Sequence, residues 1–283
     1  MGLFDFLFGK NQNSQKTTQS NLSSNKTNNT TTANTSYRTN VNSLDLSKQS
    51  MLNLSKEESL MQLNLKKDLI QSLCLDKKEL NNLTARVAVV MDFSGSMESL
   101  YKRGTVQAIL DRLLPVAMQF DDNGEMEVWL FDNSFIRMPD ISLDNYYNYL
   151  KNEKVLKKYS MGGTRYAPVI NDVVRKYTYE DKSNLPTLVL FITDGDNFSD
   201  DRAQATRAII EASKHPIFWQ FVGIGNSSFS YLEELDEMEG RYVDNANFFA
   251  VNDLTSITDE ELYNRLLAEY PDWISKVKQL GMI

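Results

Sequence analysis

From residue 86 onward, short apolar runs alternate with longer amphipathic stretches, and this alternation constrains the fold more than any other feature of the sequence. RVAVVM (86–91), EMEVWLF (125–131), TLVLFI (187–192) and PIFWQFV (216–222) are strand-length and rich in β-branched and aromatic residues. A strand that is apolar on both sides of its pleat belongs in a sheet covered on both faces, and crossover helices cover a parallel sheet in that way. Residues 134–137 read as a short antiparallel edge strand and 242–249 as the last strand. Helices are expected over 105–120, 143–150, 165–177, 200–213, 229–238 and 258–280. In the first of these, Val106, Ile109, Leu110, Leu113 and Ala117 share a face, and Pro115 should kink it. The expected class is α/β, a doubly wound, mostly parallel, Rossmann-like sheet with flanking helices. Trp129, Phe218, Trp219 and Phe221 fall in strands and are expected in the core.

Ahead of this pattern the composition changes. Roughly three quarters of residues 11–50 are Asn, Ser, Thr or Gln, too few apolar groups to offset the entropy of ordering them. The expected organisation is an apolar peptide (1–10), a disordered linker (11–54), a lead-in helix (55–80) and one domain (81–283). Ser55 and Glu58 fit a capping box at the start of the lead-in helix. Met61, Leu65, Leu69 and Leu73 recur every four residues and are expected on one face, with Cys74 beside it as a core-facing thiol.

Charge and residue counts exclude several classes of function. The formal net charge of the 283 residues is −8. Residues 1–60 carry six Lys or Arg and four Asp or Glu, so the acidic excess lies in the folded part. Nucleic acid is not an expected partner, because neutralising phosphates takes a surplus of Lys and Arg. One cysteine (Cys74) and one histidine (His215) exclude an internal disulfide, cysteine zinc clusters and multi-histidine metal sites. Residues 1–10 (MGLFDFLFGK) do not fit a secretory signal, since Asp5 interrupts the apolar run, and Phe6 stands where myristoylation needs Ser or Thr. A cytoplasmic location is expected, with only marginal membrane contact through residues 3–8.

Two of the apolar strands end in acidic loops. The first leads into Asp92-Phe93-Ser94-Gly95-Ser96-Met97, and TLVLFI leads into Thr193-Asp194-Gly195-Asp196. A third loop, Met161-Gly162-Gly163-Thr164, opens onto a helix. In open α/β sheets, ligands bind outside the carboxyl ends of strands, where the strand order reverses. Asp92 and Asp194 supply carboxylates; Ser94, Ser96 and Thr164 supply hydroxyls. Such hard oxygen donors suit Mg²⁺ or Mn²⁺, and neutral hydroxyls leave the ion under-neutralised, so it attracts an external acid. Asp196 and Asn197 are expected in a solvated loop, and His215 as a packing or surface residue. The polar run 244–247 should either end the last strand or line a second interaction surface.

The order D-x-S-x-S, T, D on these strands resembles the metal-ion-dependent adhesion site of von Willebrand factor A domains, with all five positions filled by the family's residue types. The resemblance runs from about Met61 to Trp273 and is closest to the TerF-type bacterial branch, linked to tellurium and toxic-ion stress. It is carried by TARVAVVMDFSGSM, VWLFDNSF, GGTRYAPVI, LFITDGDN, HPIFWQFVGIG, GRYVDNANFF and ELYNRLLAEYPDW. It implies the strand order 3-2-1-4-5-6. It also implies metal contact by Ser94, Ser96 and Thr164 directly and by Asp92 and Asp194 mostly through water, with Mg²⁺ or Mn²⁺ as the ion. The implied function is a non-enzymatic interaction module whose protein partner supplies a carboxylate to the metal; the sequence does not set the oligomeric state. Chains of that branch often carry a TerD-like domain upstream, and here the Asn/Ser/Thr-rich segment stands in its place.

Two other functions fit the sequence less well. A Mg²⁺-dependent phosphoryl-transfer enzyme of the haloacid-dehalogenase type also begins with an Asp at the end of the first strand. It needs a second Asp two residues on as general acid, and Ser94, a poor acid at neutral pH, occupies that position. A nucleotide switch lacks its phosphate loop, since G-x-x-x-x-G-K-[ST] does not occur.

Overall fold

The computed structural model describes residues 54–75, 77–254 and 256–283. The expected apolar peptide (1–10) and nearly all of the expected linker (11–54) lie outside the described residues. Six strands form one sheet: β1 (Arg86–Asp92), β2 (Glu127–Phe131), β3 (Phe135–Arg137), β4 (Thr187–Thr193), β5 (Ile217–Ile224) and β6 (Ala246–Val251). Their spatial order is β3-β2-β1-β4-β5-β6, as the resemblance implied. All neighbours are parallel except β3, which returns antiparallel along β2 and closes that edge.

The alternation of side chains along β1 shows why both faces are covered. Val87, Val89 and Met91 join one apolar cluster, and Ala88 and Val90 join the other. The first face is covered by α1 (Lys56–Leu75), α3 (Thr105–Phe120), α9 (Asp259–Leu266) and α10 (Tyr270–Gln279). The second is covered by α6 (Ala167–Arg175), α7 (Ser199–Ala212) and α8 (Ser230–Glu237). Trp129, Phe218, Trp219 and Phe221 are all buried, as expected. Short helices α2 (Glu98–Lys102), α4 (Tyr149–Asn152) and α5 (Val155–Lys158) sit in the connections. No described helix is long and apolar enough to cross a membrane.

The capping box at α1 forms: the Ser55 N–H donates to Glu58 Oε2 at 2.8 Å and the Glu58 N–H donates to Ser55 Oγ at 3.2 Å. The buried stripe of α1 matches the expected one only in part: Leu69 and Leu73 pack partly buried against the core. Leu63, Lys66, Ile70 and Cys74 face the domain, whereas Met61 and Leu65 are 63 % and 55 % exposed. With 3.6 residues per turn, a strict four-residue spacing drifts by about 40° per step and winds around the helix. Steps of three and four, as in 63, 66, 70 and 74, hold one face.

Three other expectations shift. Residues 143–150 form turns that lead into two single-turn helices, with Tyr146 and Tyr149 buried between polar neighbours. The last strand begins at Ala246 rather than 242, and the polar run 244–247 leads into it instead of ending it or lining a surface, because Asn245 and Asn247 are buried against β5. The Trp219 N–H donates to the Asn245 carbonyl at 2.8 Å, and Asn247 Nδ2 donates to Gln220 Oε1 at 3.0 Å. The final helical region is two helices, α9 and α10, divided at Leu267–Glu269. Arg112 on α3 locks this end in place: Nε donates to Asp259 at 2.6 Å, and the other two nitrogens donate to the carbonyls of Leu254 and Ile257.

Candidate metal centre

Because β1 and β4 are adjacent and parallel, with Met91 level with Ile192, the loops after Asp92 and Thr193 emerge side by side. The apolar run of β1 ends on a buried carboxylate. Asp92 Oδ1 accepts the Ser94 N–H at 2.7 Å, an Asx-type turn that starts the loop, and Oδ2 accepts the Thr193 hydroxyl at 2.6 Å. From there a chain of oxygens crosses the gap between the strands. Ser94 Oγ and Ser96 Oγ are 3.0 Å apart, and Ser96 Oγ donates to Asp194 Oδ1 at 2.9 Å. Four of the five expected site residues are therefore one bonded cluster.

Thr164, the fifth expected residue, is not joined to this bonded cluster; its neighbours hold its segment beside it. Gly162 pairs with Ser94 in an isolated parallel bridge, and the Gly95 N–H donates to the Gly162 carbonyl at 3.0 Å. Both glycines sit in close quarters: a Cβ on Gly162 would lie 2.5 Å from Asp132 Oδ2, the movable end of a side chain, and one on Gly163 2.5 Å from Cζ of the Phe198 ring. The Phe198 N–H donates to the Thr164 carbonyl at 3.0 Å, and the Arg165 N–H to the Asp132 carbonyl at 2.8 Å. Loops following β1, β2 and β4 thus all brace the segment that carries Thr164.

Several residues that position the site were not singled out from sequence. Thr193 shares Asp92. Tyr101 donates to the Asp92 carbonyl at 2.9 Å, and the buried Tyr166 hydroxyl donates to the Gly195 carbonyl at 2.5 Å. Asp201, on α7, accepts the N–H groups of Tyr166 and Ala167 at 2.6 and 3.2 Å and so caps α6, just after Thr164. Thr193 was detectable as a polar residue closing an otherwise apolar strand; Asp201 was not, because its partner lies 34–35 residues away in sequence. Asp196 and Asn197 are not in a solvated loop. Asp196 accepts the Ser230 hydroxyl at 3.0 Å and the Tyr231 N–H, capping α8, and Asn197 is buried against Asp201 at 2.7 Å. His215 lies before β5 at the opposite end of the sheet, consistent with a packing or surface role.

The electrostatics are those of uncompensated acids. Burial pushes the Asp92 carboxyl up to about 6 against the stabilising bonds from Ser94 and Thr193, and burial also raises Asp194. Among the described residues no basic side chain forms an ion pair with either; the nearby Arg165 pairs with Asp200 at 2.8 Å and stacks on Phe198 at 5.4 Å. Among the described residues no three His, Cys, Asp or Glu side chains are grouped to hold a metal. A cation here would rest on two carboxylates and supplementary hydroxyls. Desolvated carboxylates joined by hydroxyl oxygens, with no counter-charge, fit a hard divalent cation.

Sheet order and loop chemistry together define a von Willebrand A domain, a fold commonly used as an interaction module built on a metal-ion-dependent adhesion site. Residues 84–283 match the family model for the von Willebrand A domain found in the TerF C terminus, and the chain belongs to this TerF-like family. An uncharacterized protein of Bacillus subtilis (strain 168), YcbR, is 44 % identical over 212 residues, covering 74 % of this chain and 85 % of YcbR. Among solved structures, a von Willebrand factor type A protein from Catenulispora acidiphila is 15 % identical with a TM-score of 0.46, over 65 % of this chain and 43 % of that one. Proximal thread matrix protein 1 from the mussel byssus, with a zinc-occupied adhesion motif, is 17 % identical with a TM-score of 0.42, over 68 % of this chain and 47 % of that one. The chain spans less than half the length of these two solved structures.

Proposed function

We propose that this chain is a non-enzymatic, Mg²⁺- or Mn²⁺-dependent protein-interaction module that captures an acidic group of a partner protein. The observation that carries the reading is the bonded series Asp92, Ser94, Ser96 and Asp194, two desolvated carboxylates bridged by hydroxyls with no basic counterpart. Ser94, Ser96 and Thr164 would offer hydroxyl oxygens to the ion, and Asp92 and Asp194 would balance its charge. When bound, the metal supplies a cationic acceptor for a carboxylate. The chain's own residues do the rest: Thr193 and the Ser94 N–H orient Asp92, Tyr166 fixes the Gly195 turn, and Asp201 holds the helix that follows Thr164. The chain's one histidine, His215, lines a cavity at the far end of the sheet, so no imidazole base stands beside these hydroxyls. The family link and the sequence patterns favour a cytoplasmic role in a bacterial stress system of the tellurium or toxic-ion kind.

Titration calorimetry of the full chain with Mg²⁺ and Mn²⁺ tests the metal. Binding heat is expected in the wild type and a loss of about 100-fold or more in affinity for Asp92→Ala. Equal heats from the two, with circular dichroism reporting the same fold, or no heat from the wild type, would sink the reading.

A further inference from the structure

We infer that the rim of this site selects its partner: the acid that reaches the metal centre is flanked by large apolar side chains, and Phe198 is the residue that reads them. The inference rests on the metal-dependent reading above and specifies the partner chemistry that reading leaves open.

Phe198 stands in the acidic loop after β4, four residues beyond Asp194 and immediately before α7. A phenylalanine is ordinarily folded inward, because apolar area left in water costs about 25 cal/mol per Å². Phe198 is instead 47 % exposed, and among the described residues it is the only phenylalanine left so open. Several contacts nevertheless fix it. Its N–H donates to the Thr164 carbonyl at 3.0 Å, and its carbonyl accepts the Asp201 N–H at 3.0 Å. Its ring fills the space beside Gly163, where a Cβ would lie 2.5 Å from Cζ and 2.6 Å from Cε2. Arg165 stacks on the ring at 5.4 Å from its centroid and is itself held by Asp200 at 2.8 Å. An exposed aromatic that is already immobile loses little entropy on contact, which is why such side chains anchor interfaces.

The ring lies against the residue next to Thr164. Adjacent residues of an extended segment are about 3.8 Å apart, so a partner's acid at the site carries its sequence neighbours to the ring. The chemistry of those neighbours follows from what borders Phe198. Arg165 and Asp200 pair with each other, so the two charges beside the ring already satisfy one another. A charged partner side chain placed there gains no counter-ion and loses its water. An apolar one covers the ring at no such cost. The backbone N–H and carbonyl of Phe198 are engaged by Thr164 and Asp201, so the rim offers apolar contact rather than further hydrogen bonds. The site then combines a central charge for the acid with an apolar anchor for the residues around it.

The test uses the full chain and fluorescein-labelled peptides: Gly-Gly-Leu-Asp-Leu-Gly-Gly, and the same peptide with both leucines replaced by glycine or by lysine. In millimolar Mg²⁺, anisotropy should show the leucine peptide binding about tenfold more tightly than the other two, with binding lost in EDTA. Phe198→Ala should bring the leucine-to-glycine ratio below about twofold, whereas Phe198→Leu should keep most of it. Phe198→Gln retains bulk beside Gly163 without an apolar ring; it should behave as Phe198→Ala does, and it replaces that variant if circular dichroism shows Phe198→Ala unfolded. Metal heats measured on the same samples separate the two ideas. Metal heat without a preference for the leucine peptide, or with none of the peptides bound, would overturn this inference and leave the module reading intact; absence of metal heat would overturn both. A preference that survives the loss of the ring, or survives EDTA, would also overturn it. Mg²⁺-dependent dimers in sedimentation would overturn it in favour of a second copy seated on the ring.

Discussion

The two ends of the sheet handle polar groups in opposite ways. At the carboxyl end, Asp92 is buried without a counter-charge, and its carboxyl is pushed up to about 6. At the amino end, Asp181 receives both terminal nitrogens of Arg86 at 2.5 and 3.1 Å, and this pairing holds its carboxyl below the usual range. The hydroxyls differ as well. Thr193, Ser94 and Ser96 are all engaged at the carboxyl end. Around the cavity of about 270 Å³ at the amino end, the Tyr177 and Thr178 hydroxyls and Arg86 Nε have no partner. The first end is organised and electrostatically incomplete; the second is electrostatically paired and loosely organised. A group that would be repaired by folding alone is a structural device, whereas one that only a further charge can satisfy points to a ligand.

The largest expected effect breaks the contrast at its centre. In chelator at pH 7.5, Asp92→Asn should raise the unfolding free energy by on the order of 2 kcal/mol while abolishing metal binding. The folded-state pKa of Asp92 lies above its ordinary value of 3.8, so the folded state binds the proton more tightly. The cost is therefore absent below about pH 4, grows through pH 4–6 and is complete above that range. Denaturant titrations at pH 4.5 and 7.5 should show the gain only at the higher pH. Asp181→Asn should act with the opposite sign. Its folded pKa is depressed, so its contribution is present above about pH 4 and is lost as pH falls through the folded value.

Thr193→Val comes next. It leaves Asp92 Oδ2 without its donor and should cost about 1–2 kcal/mol at neutral pH, read by urea unfolding. A loss under 0.3 kcal/mol, against that scale, would mean that the carboxylate is not held as described. Gly162→Ala should cost about 1 kcal/mol or less in stability, because the atoms it meets are the movable ends of Asp132 and Asn133. Its effect on metal affinity should be several-fold, since the Gly162 carbonyl braces the serine loop through Gly95. The smallest effect belongs to the amino end. Tyr177→Phe removes a hydroxyl that has no partner, so the melting temperature should stay within the change set by about 0.5 kcal/mol. A loss as large as that of Thr193→Val would erase the contrast between the two ends.

The strands that carry the site were legible because their apolar runs are unmixed. TLVLFI could only be a strand buried on both faces, and all seven residues of β4 are buried. The placement of Asp92, Ser94, Ser96 and Asp194 at the ends of β1 and β4 was legible for a related reason: polar residues that directly follow such strands emerge at the same end of the sheet. The α1 stripe was half legible: Leu69 and Leu73 pack partly buried against the core, but Met61 and Leu65 are as apolar as the buried Leu63 and Ile70, and only the packing of α1 against α3 and α9 selects between them. Residues 143–150 were misread because their local pattern does not record that Tyr149 must reach the Pro139 carbonyl, 2.5 Å away, which favours turns over one continuous helix.

Sequence alone determined the class of the sheet, the strands that end in acids and the hydroxyl-bearing loops that follow them, because each depends on residues within a few positions of one another. Tertiary structure decided how those acids are held: Thr193 on Asp92, Tyr166 on Gly195, and Asp201 capping the helix after Thr164. These contacts join residues 29 to 101 positions apart, and their energies depend on burial that exists only once the sheet has closed.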